Sequence, residues 1–211
     1  MILTARNEGL FTPPSTRGTV QMPGNNGGAN WSGAAVDPAA GMLYLVSKDL
    51  PALLKLERDP AAPEGTVRYI SGFNMFTGAS GLSMIGPPWT MLTAYDLNEG
   101  TIRWKMPLGE VPELAAKGIH ETGTHYPKVG PVVTAGGLLF TGTRDRRVRA
   151  FDVATGKLLW DREVPMALEG MPAVYQVNGR EYIVFCASAQ GGLTPATQAK
   201  IEGEYIAFAL K

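Results

Sequence analysis

Apolar and polar residues alternate with a period of two over short stretches of this chain, and few stretches show the 3.6-residue period of an amphipathic helix. In VRAFDV, Val148, Ala150 and Asp152 fall on one side of an extended strand, and Arg149, Phe151 and Val153 on the other. The strand runs into an Asp-x-x-x-Gly segment, which reads as a tight turn. An Asp carboxylate accepts hydrogen bonds from backbone amides just ahead of it, and Gly tolerates positive φ. KLLW then opens the next strand. The whole stretch, VRAFDVATGKLLW (148–160), repeats an earlier one without gaps, LTAYDLNEGTIRW (92–104). The two share Ala94/Ala150, an aromatic at Tyr95/Phe151, Asp96/Asp152, Gly100/Gly156 and Trp104/Trp160.

A partial third copy, YIAFAL, occupies residues 205–210. Another pattern, two apolar strands around a Gly-containing turn, recurs at 32–47, 130–143 and 171–188 and carries the signature of a hairpin. Short antiparallel strands recurring as units, with a Trp and an Asp turn per unit, predict an all-β chain built from β-propeller blades. The units fall at about 33–104, 130–160 and 171–210, within a single domain over 1–211. A long insertion near 50–89 interrupts the first unit, and its Gly- and Pro-rich part, 72–89, reads as loop. EVPELAAKG (110–118) reads as a short helix. A β-sandwich with coincidental Trp positions is disfavoured by the number of residues matched at identical spacing.

Composition narrows the function classes. With 45% hydrophobic residues, 18% charged residues and zero net charge, the chain is neither disordered nor strongly basic. Nothing in that balance favours nucleic acid or an anionic membrane surface as a partner. The one cysteine, Cys186 in YIVFCAS, rules out a disulfide within the chain and is expected to be a small buried hydrophobe. No apolar run is long enough for a membrane helix. MILTARNEGLFTPPS has no signal-peptide core, so an export signal, if there is one, lies outside this chain. His120 and His125 in HETGTH have no metal-ligand spacing, so no metal site is expected there. Phosphate-loop, GxSxG and zinc-protease motifs are also missing.

The repeated A-[YF]-D-[LV]-x-x-G-x-x-x-W resembles the tryptophan-docking motif of the pyrroloquinoline quinone (PQQ) dehydrogenases, which form eight-bladed propellers. TPPSTRGTVQMPGNNGGANWSGAAVDP (12–38), GPPWTMLTAYDL (86–97), GPVVTAGGLLF (130–140) and NGREYIVFCASAQGG (178–192) follow the order of the C-terminal end of the membrane-bound glucose dehydrogenase branch. The resemblance implies about three blades of the eight, with Trp104 and Trp160 largely buried between adjacent four-stranded sheets. An indole suits that place because it buries a large area and keeps one N–H to pair.

The resemblance also implies cofactor contacts. Asn30 would present its amide to the quinone oxygens and Trp31 would form a wall, or the pair simply makes a strand-entry turn with a docking Trp. Gly191 and Gly192 would bring backbone against the cofactor or simply make a turn. Gln190 and Leu193 depart from the family pattern beside them. Lys128 stands where alcohol-oxidising relatives carry a tryptophan; it pairs with a PQQ carboxylate or is solvated. The family's catalytic base and calcium ligands come from blades before the Asn–Trp segment, so no catalytic or metal residue is assigned here. The chain reads as the C-terminal part of a periplasmic quinoprotein. PQQ, Ca²⁺, a sugar or alcohol substrate and a quinone-type acceptor belong to the complete protein. Alone, it would need the remaining blades or self-association to cover its open faces. The competing reading is a non-catalytic propeller scaffold with the same repeats.

Overall fold

The computed structural model describes residues 4–30, 33–72, 75–189 and 202–209. Trp31, Gln190, Gly191, Gly192 and Leu193 lie outside them. In chain order the first strands are β1 (Thr19–Gln21), β2 (Ala34–Asp37), β3 (Met42–Lys48), β4 (Ala52–Leu54), β5 (Leu56–Arg58), β6 (Tyr69–Ser71), β7 (Thr90–Asp96) and β8 (Thr101–Pro107). After α1 (Pro112–Ala115) come β9 (Val132–Val133), β10 (Leu138–Thr143), β11 (Arg147–Asp152), β12 (Leu158–Glu163), β13 (Ala167–Val177), β14 (Arg180–Ser188) and β15 (Gly203–Ala209).

The chain divides into two units. Met1–Gly28 with Asp49–Gly86 forms the smaller one, and Ala29–Lys48 with Pro87–Lys211 the larger. The smaller unit holds two two-stranded antiparallel sheets, β1–β4 and β5–β6. Gly24 belongs to it for a steric reason: a Cβ there would sit 2.8 Å from the backbone of Leu50 and Ala52. The Gly- and Pro-rich stretch contributes only isolated bridges among the described residues, Ala52 to Met75 and Thr77 to Ser83.

The larger unit contains three antiparallel meanders: β2-β3-β7-β8, β9-β10-β11-β12, and β13-β14-β15. One face of the first sheet (Tyr44, Val46, Leu92, Ala94) packs on Leu139 and Phe151 of the second. The opposite face of the second (Phe140, Val148, Ala150) packs on Leu168, Ile183, Phe185 and Ala187 of the third. β11 therefore serves both interfaces through its alternation, Val148 and Ala150 one way and Phe151 the other. The sequence repeat is also a repeat of geometry. Trp104 sits opposite Ala94 and Trp160 opposite Ala150, each with a register shift one residue later. In both turns the Asp carboxylate accepts backbone amides, Asn98 and Glu99 on Asp96, and Thr155 on Asp152. Gly100 and Gly156 close the turns at φ 69° and 73°.

Trp104 docks across the first interface. Its Nε1 donates to the Val153 carbonyl at 2.9 Å, and its ring lies over Gly156, where a Cβ would approach it to 3.0 Å. Trp160 departs from the expectation of burial: it is 39% exposed and meets Phe208 edge-on. The reason is its neighbour. In the third sheet Ala209 stands where Asp152 stands in the second, so no Asp turn covers this indole among the described residues.

Two further expectations are corrected. Cys186 is exposed, because the alternation of β14 turns Ile183, Phe185 and Ala187 inward and Cys186 the other way. The helix expected over 110–118 is only Pro112–Ala115; it has no side-chain N-cap and no buried residue to hold more turns. Gly118, at φ 78°, lies just beyond it.

Candidate functional site

Two of the sequence-predicted contacts occupy equivalent places. Asn30 precedes β2 by four residues and Lys128 precedes β9 by four, and β2 and β9, the first strands of successive sheets, lie beside each other. The Lys128 end is pinned by the third sheet: Gly170 N–H donates to the Lys128 carbonyl at 2.7 Å, and Gly130 N–H to the Gly170 carbonyl at 3.3 Å. The Lys128 side chain is exposed and faces Glu169, with 3.7 Å between its Nζ and the carboxylate. It is therefore a solvated lysine with one loose ionic contact.

A residue that sequence reasoning missed sits with this pair. Lys48 ends β3 and is only 3% exposed. Its ammonium donates to the Asn30 carbonyl at 3.3 Å. Burial holds its pKa below the ordinary lysine value, and the positive charge of Lys128 lowers it further. No carboxylate lies within 4 Å of it among the described residues. A signal was available: in MLYLVSK the buried positions are Met42, Tyr44, Val46 and then Lys48, so period two carries the lysine onto the packed face.

The two histidines do not form a site. His120 is exposed and its Nδ1 lies 3.2 Å from Glu110. His125 packs edge-on against Trp89 at 5.3 Å and Tyr126 at 5.2 Å, and its buried Nε2 has no hydrogen-bond partner among the described residues. Burial, then the charge of Arg144, holds its pKa below the ordinary histidine value. Another polar cluster ties the second sheet together. Arg149, 8% exposed, pairs with Asp145 at 2.6 Å, and Asp145 also accepts the Glu110 N–H at 3.0 Å. Each of its charges is answered, so it is structural.

The three meanders with their docked indole, and the polar ends of successive first strands, define the architecture of a quinoprotein blade array. The chain belongs to the PQQ-dependent dehydrogenase family: residues 1–183 match the family model described as glucose/ethanol/alcohol dehydrogenase, beta-propeller domain. It is 32% identical to the quinoprotein glucose dehydrogenase of Escherichia coli (strain K12), over 88% of this chain and 26% of that protein. It is 31% identical to the quinate/shikimate dehydrogenase (quinone) of Acinetobacter baylyi, over 98% of this chain and 28% of that protein. Among solved structures it superimposes on a europium-containing methanol dehydrogenase with a TM-score of 0.57 and 26% identity, covering 79% of this chain and 26% of the other. The chain thus spans about a quarter of the length of the relatives it matches, and its fold is a partial β-propeller.

The family's cofactor can be tested against the residues present. PQQ is a flat quinone carrying three carboxylates. The buried ammonium of Lys48, the exposed one of Lys128 and the N–H side of the Asn30 amide can all donate to such an anion, with Glu169 the one acid beside Lys128. A calcium ion is not suited by what is described. No three His, Cys, Asp or Glu side chains converge among the described residues.

Proposed function

We propose that this chain supplies one arc of the quinone pocket in a PQQ-dependent sugar, polyol or alcohol dehydrogenase. The proton-removing base and the calcium ligands come from sequence outside these 211 residues. The observation that carries the reading is the equivalent placement of Asn30 and Lys128 ahead of neighbouring first strands, on a chain that belongs to this family. When bound, the quinone accepts the two electrons of alcohol oxidation. The part of this chain is to hold and orient. The Asn30 amide offers two N–H donors to an oxygen-rich edge, and Lys128 contributes positive charge at the solvent side. Names of relatives acting on glucose, glycerol and quinate support a polyhydroxylated substrate. Periplasmic location follows from the same reading.

Dye-linked dehydrogenase activity tests it, measured with PQQ, Ca²⁺ and glucose, glycerol or quinate. The 211-residue chain alone is expected to give background rates, because loss of a general base typically costs a factor of about 10² to 10⁴. The product extended through the reading frame before Met1 is expected to turn over. Asn30→Ala in that product should lower its affinity for PQQ several-fold. Turnover by the chain alone would overturn the reading, and an extended product that neither binds PQQ nor turns over would point to a scaffold.

A further inference from the structure

Lys48 is an expensive residue to keep. A buried ammonium is unfavourable unless its charge and its three N–H donors are answered. Here one donor reaches the Asn30 carbonyl at 3.3 Å and no described carboxylate lies within 4 Å. The neighbouring charges do not compensate it. Lys128 is a second cation, and Glu169, 3.7 Å from Lys128, pairs loosely with that lysine. The group so formed, Lys48, Lys128 and Glu169, carries one net positive charge beside the backbone of Asn30. A methionine or leucine would continue the buried face of β3 without that penalty.

We propose that Lys48, seconded by Lys128, is a carboxylate-binding residue of the site. Its buried ammonium takes one carboxylate oxygen of the bound ligand while the Asn30 carbonyl holds it in place. This rests on the reading that the chain lines the quinone pocket. The carboxylate comes from one of two sources with the same chemistry, the quinone itself or a hydroxy-acid substrate. A charge-assisted hydrogen bond in a water-poor site is strong, and its loss lowers affinity by roughly 10- to 100-fold. Lys128, which stays in solvent, contributes less.

The test is ¹³C NMR of the product extended through the reading frame before Met1, labelled at lysine Cε, with Lys48 assigned by its absence in Lys48→Met, alongside equilibrium dialysis of both proteins. Five probes are added separately: PQQ, its trimethyl ester, benzene-1,2,3-tricarboxylate, quinate and glucose. If the quinone supplies the carboxylate, PQQ and the tricarboxylate move the Lys48 resonance. Lys48→Met then binds PQQ roughly 10- to 100-fold more weakly, with the ester unaffected by the substitution. If the substrate supplies it, quinate moves the resonance and loses affinity in Lys48→Met, while PQQ and glucose bind as before. A tricarboxylate that moves Lys48 in an extended product that does not take up PQQ supports the carboxylate site and removes the quinone-pocket reading. A resonance that no carboxylate moves, with Lys48→Met equal to the parent for every probe, overturns the proposal. Should Lys48→Met fold poorly, Lys48→Arg, which keeps the charge, assigns the resonance by the same absence.

Discussion

The two Asp-x-x-x-Gly turns allow the docking contact to be isolated from the turn itself. Gly156 and Gly100 have nearly the same backbone, φ 73° and 69°. A Cβ on Gly156 would lie 3.0 Å from Cδ2 and Cε3 of Trp104, whereas a Cβ on Gly100 would meet no described atom within 4 Å. Alanine at either position incurs the left-handed backbone penalty of about 1–2 kcal/mol, partly offset by a stiffer unfolded chain worth about 0.4–1 kcal/mol. Gly100→Ala should therefore cost about 1 kcal/mol. Gly156→Ala adds crowding against an indole that cannot retreat, because its Nε1 is tied to the Val153 carbonyl at 2.9 Å. Overpacking of this kind costs about 1–3 kcal/mol more. In a chain of this size each kcal/mol shifts Tm by about 2–4 °C. Thermal melts followed by circular dichroism should place Gly156→Ala below Gly100→Ala by that excess. The decisive arm repeats Gly156→Ala in a Trp104→Ala background. Trp104→Ala itself costs about 2–4 kcal/mol, less than a fully buried tryptophan because this indole is only partly buried. With the ring gone, the excess at Gly156 should vanish and leave a coupling of about 1–3 kcal/mol. Equal costs at the two glycines, or an excess that survives without the indole, would refute rigid docking of Trp104 on the turn.

Two pH-dependent outcomes follow from the buried bases. His125 has its folded pKa depressed by burial and by Arg144, so the unfolded chain takes up its proton first. Stability should therefore fall as pH drops below about 6.5 toward the depressed value, and His125→Phe should flatten that slope in melts from pH 8 to pH 5. An unchanged slope in His125→Phe would count against it. Lys48 also has a depressed folded pKa, set by burial and then by Lys128, whose own ionic partner is Glu169. Its charge therefore destabilises the ligand-free fold at every pH below that folded value, and the penalty shrinks as pH rises toward about 10.4. Lys48→Met should melt higher than the parent at pH 7, by a margin that narrows by pH 10; a lower Tm at pH 7 would refute it.

What could be read from the chain was what is local. Period-two alternation, Asp-Gly turns and the spacing from Asp96 to Trp104 and from Asp152 to Trp160 are set by residues in contact with their own neighbours. They were enough to specify strands, hairpins and the repeat; the family rested on the resemblance of the repeated motif together with TPPSTRGTVQMPGNNGGANWSGAAVDP (12–38). The helix at 110–118 was overestimated because local propensity was not backed by any buried face. The fate of the second indole needed the third sheet: Trp160 has the sequence of Trp104, but the position equivalent to Asp152 in the third sheet is Ala209. Cys186 likewise lies in an apolar run, and only the packing of Ile183, Phe185 and Ala187 chose which parity of β14 faces inward. The site depended on tertiary structure most of all. Asn30, Lys48, Lys128 and Glu169 are scattered along the chain and meet because the start of one sheet, the end of its second strand and the start of the next sheet are brought together by packing. Alternation placed Lys48 on a buried face, but only the packed sheets decide that its charge is left without a carboxylate among the described residues.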